Sequence, residues 1–415
     1  MAPNEMTFWK GSYDRHTNFA IGEIENPFNT SAGFGRQKMQ ATISRSGDLL
    51  SSIYVYTQLP AITYLVAHPA VPGTDSVYYT NAVGNAMIQD CKVVIGTQQI
   101  DSMSGEFMEI FETLSTPAGK DLSEMVGRYA GVAGLEDAAM RVQDLYTPLQ
   151  FWFNRFYEQV LPMIGLYWHE TRIEMQTRTM ASCLVYQGAF AANHADPLWM
   201  VPPTDATEMH LLCNFVYLDK AERAAFANGK HQYVFDQLEY LGEISVTAAG
   251  GLVQHDIRFS QPVQELVWVC QRDAVLNIDV ATYFGSDFFN FSGATVTIAN
   301  TGGHTVPTEP FVTAQLLLNN QQRTIAHTAK YYRCVQPYQA HARTPDRYIY
   351  CYCFGTAPEL MLDTGSVNMS RMDNAKLNIV YPTAAGETWA GKTRIYARKK
   401  NVAKVAIGMF GQKFA

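Results

Sequence analysis

Ser52-Ile53-Tyr54-Val55-Tyr56-Thr57-Gln58-Leu59 places Ile53, Val55 and Leu59 on one face of an extended chain. A period of two belongs to a backbone whose successive side chains point to opposite sides, so this stretch predicts a half-buried β-strand. The same alternation returns at Ala294–Ala299, through Val296 and Ile298, and at Leu377–Tyr381, through Leu377, Ile379 and Tyr381. Clusters of Gly, Pro, Asn and Asp bound these runs, as turns between antiparallel strands require. Two other runs, Glu265–Cys270 and Tyr348–Phe354, are apolar on both faces. Such strands lie between a core and something else, either a second layer or a neighbouring subunit.

Helical periodicity is rare. Phe107, Ile110, Phe111 and Leu114 follow the i, i+3, i+4, i+7 rule and predict a helix that stops at Thr116-Pro117. Asp121-Leu-Ser-Glu124 and Asp219-Lys-Ala-Glu222 read as capping boxes, the second opening a helix that runs to Asn228-Gly229. Many strands and few helices call for β-sandwiches or barrels with helical excursions, since one sheet of that size would be unusual. The length of 415 residues favours two domains. The turn-rich stretch Asn193–Met209, with Asp196-Pro197, Pro202-Pro203 and Asp205, is the candidate junction. The expected division is an N-terminal arm over residues 1–25, a first unit over 26–205 and a second over 206–415. No residue-level repeat relates the halves, so duplication is inferred from organisation alone.

Composition narrows the function. Hydrophobic residues make up 47% and charged residues only 17%, against a usual ~25% charged. A chain so poor in charge is expected to have much of its surface covered by partners. A net charge of -7, from 31 basic and 38 acidic side chains, argues against wrapping nucleic acid. No apolar run approaches the ~20 residues of a spanning helix, and no secretory leader is read, so synthesis in the cytosol is expected. The seven cysteines are expected to be free and mostly buried. Cys351-Tyr352-Cys353 puts two thiols on one strand face rather than on a turn, so metal ligation is not expected there. His169-Glu170 lacks a second histidine, Gly302-Gly303-His304 lacks the lysine and helix of a phosphate cradle, and no Gly-x-Ser-x-Gly elbow occurs. No catalytic residue, cofactor or metal is assigned.

Particular residues carry more. Tyr13-Asp-Arg15-His16-Thr17-Asn18-Phe19-Ala20, Gly33-Phe34-Gly35 and Ile43-Ser-Arg45-Ser-Gly47-Asp48-Leu49 are followed by Glu106-Phe-Met-Glu109, Pro117-Ala-Gly-Lys120, Pro148-Leu-Gln-Phe-Trp152-Phe and His169-Glu170. Later come Tyr217-Leu-Asp219, Glu222-Arg223 with Phe226, and Gln261-Pro262-Val263-Gln264-Glu265-Leu266-Val267-Trp268. The series closes with Tyr331-Tyr332, Val335-Gln336-Pro337-Tyr338, Gly365-Ser-Val-Asn368-Met-Ser370-Arg371-Met-Asp373-Asn374 and Gly408-Met-Phe-Gly411. In order and spacing these blocks resemble the major capsid protein of nucleocytoplasmic large DNA viruses over nearly the whole chain. The chain departs from that pattern at Ala397-Arg398-Lys399-Lys400-Asn401, where relatives often carry an uncharged strand, and it is short for the family.

The resemblance implies an all-β fold of two consecutive eight-stranded antiparallel jelly rolls, with short helices in the inter-strand excursions. It also implies a homotrimeric, pseudo-hexagonal capsomer tiling an icosahedral shell. The implied partners are other copies, minor capsid and vertex proteins and an internal viral membrane, without direct contact to nucleic acid. The implied location is the virion, after assembly in the host cytoplasm. The motif residues Arg15, Asn18, Phe19, Arg45, Gly47, Asp48, Asn368, Ser370, Arg371, Asp373 and Gly408 are expected to be structural. Gly47-Asp48 reads as a turn, the glycine allowing a positive φ and the aspartate bonding its own backbone. Arg371 and Asp373 would share a strand face and serve either bracing or contact between capsomers. Trp9 and Lys10 in the arm, with Arg398, Lys399 and Lys400 at a strand start, are expected to face inward toward lipid or an acidic minor protein. Two readings compete: a minor capsid or vertex protein, and a tandem β-sandwich carbohydrate-binding protein or enzyme.

Overall fold

Eight strands build the barrel of the first unit: β1 (Phe19–Asn26), β2 (Met39–Thr42), β3 (Leu49–Leu59), β4 (Ile88–Ile95), β5 (Gln98–Met103), β6 (Gln143–Pro148), β7 (Thr171–Thr177) and β8 (Glu208–Leu218). They pair antiparallel in two sheets, ordered β1-β8-β3-β6 and β2-β7-β4-β5. Two more, Ser76–Tyr79 and Leu184–Gln187, pair with each other and, through Tyr283–Gly285, with Ile278–Val280 of the second unit in a separate four-stranded sheet. The second unit is built from β9 (His231–Val246), β10 (Gly251–Asp256), β11 (Pro262–Arg272), β12 (Thr313–Leu318), β13 (Gln321–Gln322), β14 (Ile349–Cys353), β15 (Ala375–Tyr381) and β16 (Gly391–Ala406). Its sheets are ordered β9-β16-β11-β14 and β10-β15-β12-β13. Adding eight to each label of the first unit reproduces the second, so the two halves share one jelly-roll topology. A further hairpin strand, β17 (Met409–Gln412), extends β16.

The computed structural model describes residues 17–63, 75–192, 203, 205–246, 251–276, 278–280, 283–293, 308–382 and 389–414. The Ala294–Ala299 run, the arm residues Trp9, Lys10 and Arg15, and most of the Asn193–Met209 stretch lie outside these.

The alternation that predicts strands is met. In β3, Ile53, Val55 and Leu59 are fully buried, and in β15 Leu377, Ile379 and Tyr381 are buried. The expected helix is α1 (Gly105–Ser115), started by Ser104, whose hydroxyl accepts from the Phe107 amide at 3.2 Å. Its four periodic residues are all buried.

Two boundaries are corrected. Residues 19–25, assigned to an arm, belong to β1, paired in register from Phe19 opposite Leu218 to Asn26 opposite Leu211. The strand β8, assigned to the second unit, lies between β1 and β3 in the first. The break therefore falls after Leu218, where Asp219 caps α2 (Lys220–Asn228). Periodicity identifies a strand but carries nothing about which partner it will find.

The both-face apolar runs are explained by a second layer within the chain. In β11, Leu266, Trp268 and Cys270 enter the core of their own barrel, whereas Val267 and Val269 join the core of the first. In β14, Tyr350 points one way and Ile349 and Cys351 the other. The β9-β16-β11-β14 sheet is thus a wall common to both barrels, and α1 packs on its first-barrel side, with the Phe107 ring 5.1 Å from that of Tyr396. Burying each such aromatic contributes roughly 1.5–3 kcal/mol.

Candidate functional site in the seam between the barrels

Strand register sets the seam. Leu238 of β9 pairs with Arg398 of β16, Arg398 with Glu265 of β11, and Glu265 with Cys353 of β14, giving one row across four strands. The next row is Tyr240, Tyr396, Val267 and Cys351. Because residues opposite each other in a sheet share a face, the charged row looks into the seam.

Every charge in that row has a partner. Arg398 donates to Glu265 at 2.7 Å, to Asp236 at 2.8 Å and to the Pro358 carbonyl at 3.0 Å, with its guanidinium 4.6 Å from the Phe111 ring centre. Asp236 also receives Arg155 at 3.1 Å and Lys400 at 2.5 Å. Glu265 lies 3.0 Å from His341, whose other ring nitrogen is 2.7 Å from Glu359. Burial opposes ionisation of Asp236 and Glu265, but Arg398, helped by Arg155 and Lys400 at Asp236 and by His341 at Glu265, pulls both carboxyls down, Glu265 to about 2. Burial pushes Arg155 down, and the charge of Arg398 adds to that, to about 10.

The placement of Arg398, Lys399 and Lys400 on an inward surface is therefore corrected. They sit in the interior of β16, not at a strand start, and Arg398 and Lys400 are only 4% and 5% exposed. Lys399 pairs with Glu239 at 3.2 Å on the opposite face. Buried acids exist on β9 and β11 to meet this basic run. The sequence signal was the pairing of its three cations with Asp236, Glu239 and Glu265, which only the register makes visible.

The motif residues brace turns at the barrel ends. Arg45 donates to the carbonyls of Tyr167 at 2.9 Å and His169 at 3.3 Å. Gly47 does not need a positive φ; a Cβ there would collide with the Phe215 side chain. Asp48 does not bond its own turn either. Its carboxylate accepts from the Leu218 amide at 2.9 Å and pairs with Arg223 of α2 at 2.9 Å, tying β3 to the unit junction. Asn18 and Phe19 are exposed at the start of β1, Phe19 by 60%.

The expected strand pair of Arg371 and Asp373 is not formed, because Met369–Arg371 is a single helical turn. Asn368 caps it, accepting from the Ser370 amide at 3.1 Å, while the Ser370 hydroxyl accepts from the Gln261 amide at 2.8 Å at the head of β11. The backbone of Asp373 donates to Asn319 at 3.1 Å, in the β12–β13 turn where Asn319 and Asn320 both have positive φ. Arg371 is exposed and has no ion pair among the described residues. Gly408 follows Ile407 in the β16–β17 turn, with φ of 77° and 54°; two positive values define a type I′ hairpin. A Cβ on Gly408 would stand 2.5 Å from Trp168 and 2.6 Å from Tyr167.

All seven cysteines are free thiols, five of them buried. Among the described residues no helix is long and apolar enough to cross a membrane.

Comparison with known proteins accords with this geometry. Residues 7–219 match the family described as major capsid protein N-terminus, and residues 222–411 match the large eukaryotic DNA virus major capsid protein family. The two matches meet where the topology puts the junction. The chain is 29% identical to the major capsid protein of Phaeocystis pouchetii virus, covering 99% of this chain and 96% of that one. It is also 29% identical to the major capsid protein of Paramecium bursaria Chlorella virus 1, with 99% and 95% covered. Among solved structures, the quasi-atomic model of the PBCV-1 virus capsid aligns with a TM-score of 0.77 at 25% identity, covering 99% of this chain and 100% of that one. The Faustovirus major capsid protein shares the fold, with a TM-score of 0.73 at 12% identity over 96% and 92% of the chains. Matched along both barrels and carrying the duplicated strand order, the chain belongs to the major capsid proteins of large eukaryotic DNA viruses.

Proposed function

We propose that the protein is a shell brick that acts as a homotrimer, six similar barrels from three chains forming a pseudo-hexagonal capsomer that tiles an icosahedral capsid. The duplicated strand order carries this reading, because two equivalent barrels per chain turn threefold symmetry into near-sixfold symmetry. The buried wall between the barrels supports it by holding them in one orientation. The role is structural rather than enzymatic: the strongly shifted groups of the seam stabilise one another. Free thiols accord with assembly in a reducing host cytoplasm.

Contacts outside the chain are suggested by backbone strain. Ile407 is β-branched, has φ of 54° and is 70% exposed, beside Trp168 at 71% and Met409 at 47%. A β-branched residue is a poor choice for a left-handed turn, so a role for its side chain at a neighbouring capsid protein is the more economical reading. Minor capsid and vertex proteins, and an internal membrane, are further proposed neighbours. Size-exclusion chromatography with light scattering tests the trimer: a mass of three chains is expected, and a monomer throughout the micromolar range overturns the reading.

A further inference from the structure

We propose that Cys351, Cys353 and His341, with Glu265 as fourth donor, form a structural site for a thiophilic divalent cation, Zn²⁺ above all. The sequence alone argued otherwise, since Cys351 and Cys353 are two apart on one strand. The fold adds two donors from elsewhere. His341 follows the short helix Gln336–Ala340 and returns over β14, while Glu265 on β11 is the direct cross-strand neighbour of Cys353.

The donor atoms are close enough to share one ion. One ligand atom each from His341, Cys351 and Cys353 lie within 4.8 Å of one another. His341 Nε2 is 3.6 Å from Cys353 Sγ, and Glu265 Oε2 is 3.0 Å from His341 Nε2 and 3.8 Å from Cys353 Sγ. With metal–sulfur bonds of ~2.3 Å and metal–nitrogen or –oxygen bonds of ~2.0–2.2 Å, a tetrahedral site spaces its donors about 3.3–3.8 Å apart. Shifts of a few tenths of an ångström in these separations complete three of the edges.

The surroundings are those of a ligand set rather than of loose thiols. His341 Nδ1 lies 2.7 Å from Glu359, the carboxylate–histidine pairing that fixes a ligating ring, leaving Nε2 toward the cysteines. Arg398 occupies the other oxygen of Glu265 at 2.7 Å, and the Gln336 side chain accepts from the Cys353 amide at 3.2 Å. The His341 ring and the Glu265 carboxylate are fully buried, so the ion would enter as the chain folds. Glu265 and Glu359 flank the His341 ring at 3.0 Å and 2.7 Å. The negative charge of these two carboxylates favours a dication beside the ring. In the bound state the cysteines would be thiolates and His341 a neutral ring, giving two thiolates and one carboxylate around the metal with Arg398 beside them.

The test uses the full chain refolded with Zn²⁺ or Co²⁺ and dialysed free of excess. About one metal per chain by elemental analysis is expected, together with a thiolate-to-cobalt charge-transfer band in the near ultraviolet. Cys353→Ser and His341→Gln should abolish the band and the stoichiometry, and Cys213→Ser, in the first barrel, should keep both. Substoichiometric metal without the band in the wild type overturns the proposal, as does an unchanged band in Cys353→Ser. If the site variants do not fold, the wild-type metal content and spectrum decide alone.

Discussion

Replacing Asp236 by Asn keeps the shape of a seam side chain and removes one charge. That carboxylate holds Arg398 at 2.8 Å, Arg155 at 3.1 Å and Lys400 at 2.5 Å. In the variant Arg398 keeps Glu265, but Arg155 is left with the Glu359 carbonyl and Lys400 with the Met361 carbonyl. Three cations then face one another inside the protein without their shared anion. Removing one partner of a buried ion pair costs about 3–5 kcal/mol. At about 2–4 °C per kcal/mol the midpoint of thermal unfolding should fall by roughly 6–20 °C. Asp137→Asn is the control: it breaks the exposed pair with Arg141, four residues on and just past the end of the helix Gly131–Ala139, which is worth about 0.3–0.5 kcal/mol. Added salt should shrink the control's effect and leave that of Asp236→Asn standing, since buried pairs are poorly screened. Adding Lys400→Met should recover about 1 kcal/mol or more by removing the most isolated cation. If Asp236→Asn and Asp137→Asn unfold within about 1 kcal/mol of each other, the seam is not an ion-paired joint and the reasoning fails.

Gly408→Ala should destabilise the chain by about 1–3 kcal/mol, seen as a lower unfolding midpoint, because the new Cβ meets Trp168 and Tyr167 at a left-handed φ. Ile407→Asn should act oppositely on the isolated chain, raising its midpoint by up to about 1 kcal/mol, as Asn suits a type I′ turn; light scattering should show weaker assembly if the side chain serves a neighbour. Asp48→Ala should cost about 1–3 kcal/mol in chemical denaturation by orphaning the Leu218 amide and Arg223. Burial lowers His255 from its ordinary 6.5 to about 4, so the neutral ring's contribution is complete above pH 6.5 and is lost as pH falls through 4; His255→Gln should flatten that acid limb of the stability profile.

Local features of the fold were legible in the residues. Ile53, Val55 and Leu59 announce β3, Phe107 through Leu114 announce α1, and the doubly apolar β11 and β14 announce a wall with packing on both sides. What the residues withhold is pairing. Glu208–Leu218 reads as a strand whichever unit it joins, and only hydrogen bonding to β1 and β3 assigns it. Arg398-Lys399-Lys400 looks like a surface cluster because its counter-charges, Asp236, Glu239 and Glu265, are more than a hundred residues away. Gly47-Asp48 reads as a self-contained turn, but the collision with Phe215 and the tie to Leu218 that define the two residues are long-range facts.

The wall between the barrels has a mechanical side. A load pressed on the first lobe reaches the second through side chains packed on a hydrogen-bonded four-stranded sheet. Sliding the lobes by one residue, about 3.3 Å, would draw Arg155 away from Asp236 and the Phe111 ring off Arg398 at the same moment. Shear along the wall is therefore opposed by the ion pair and the ring contact together. Such a molecule would scarcely bend along the wall, and yielding would be left to the end loops.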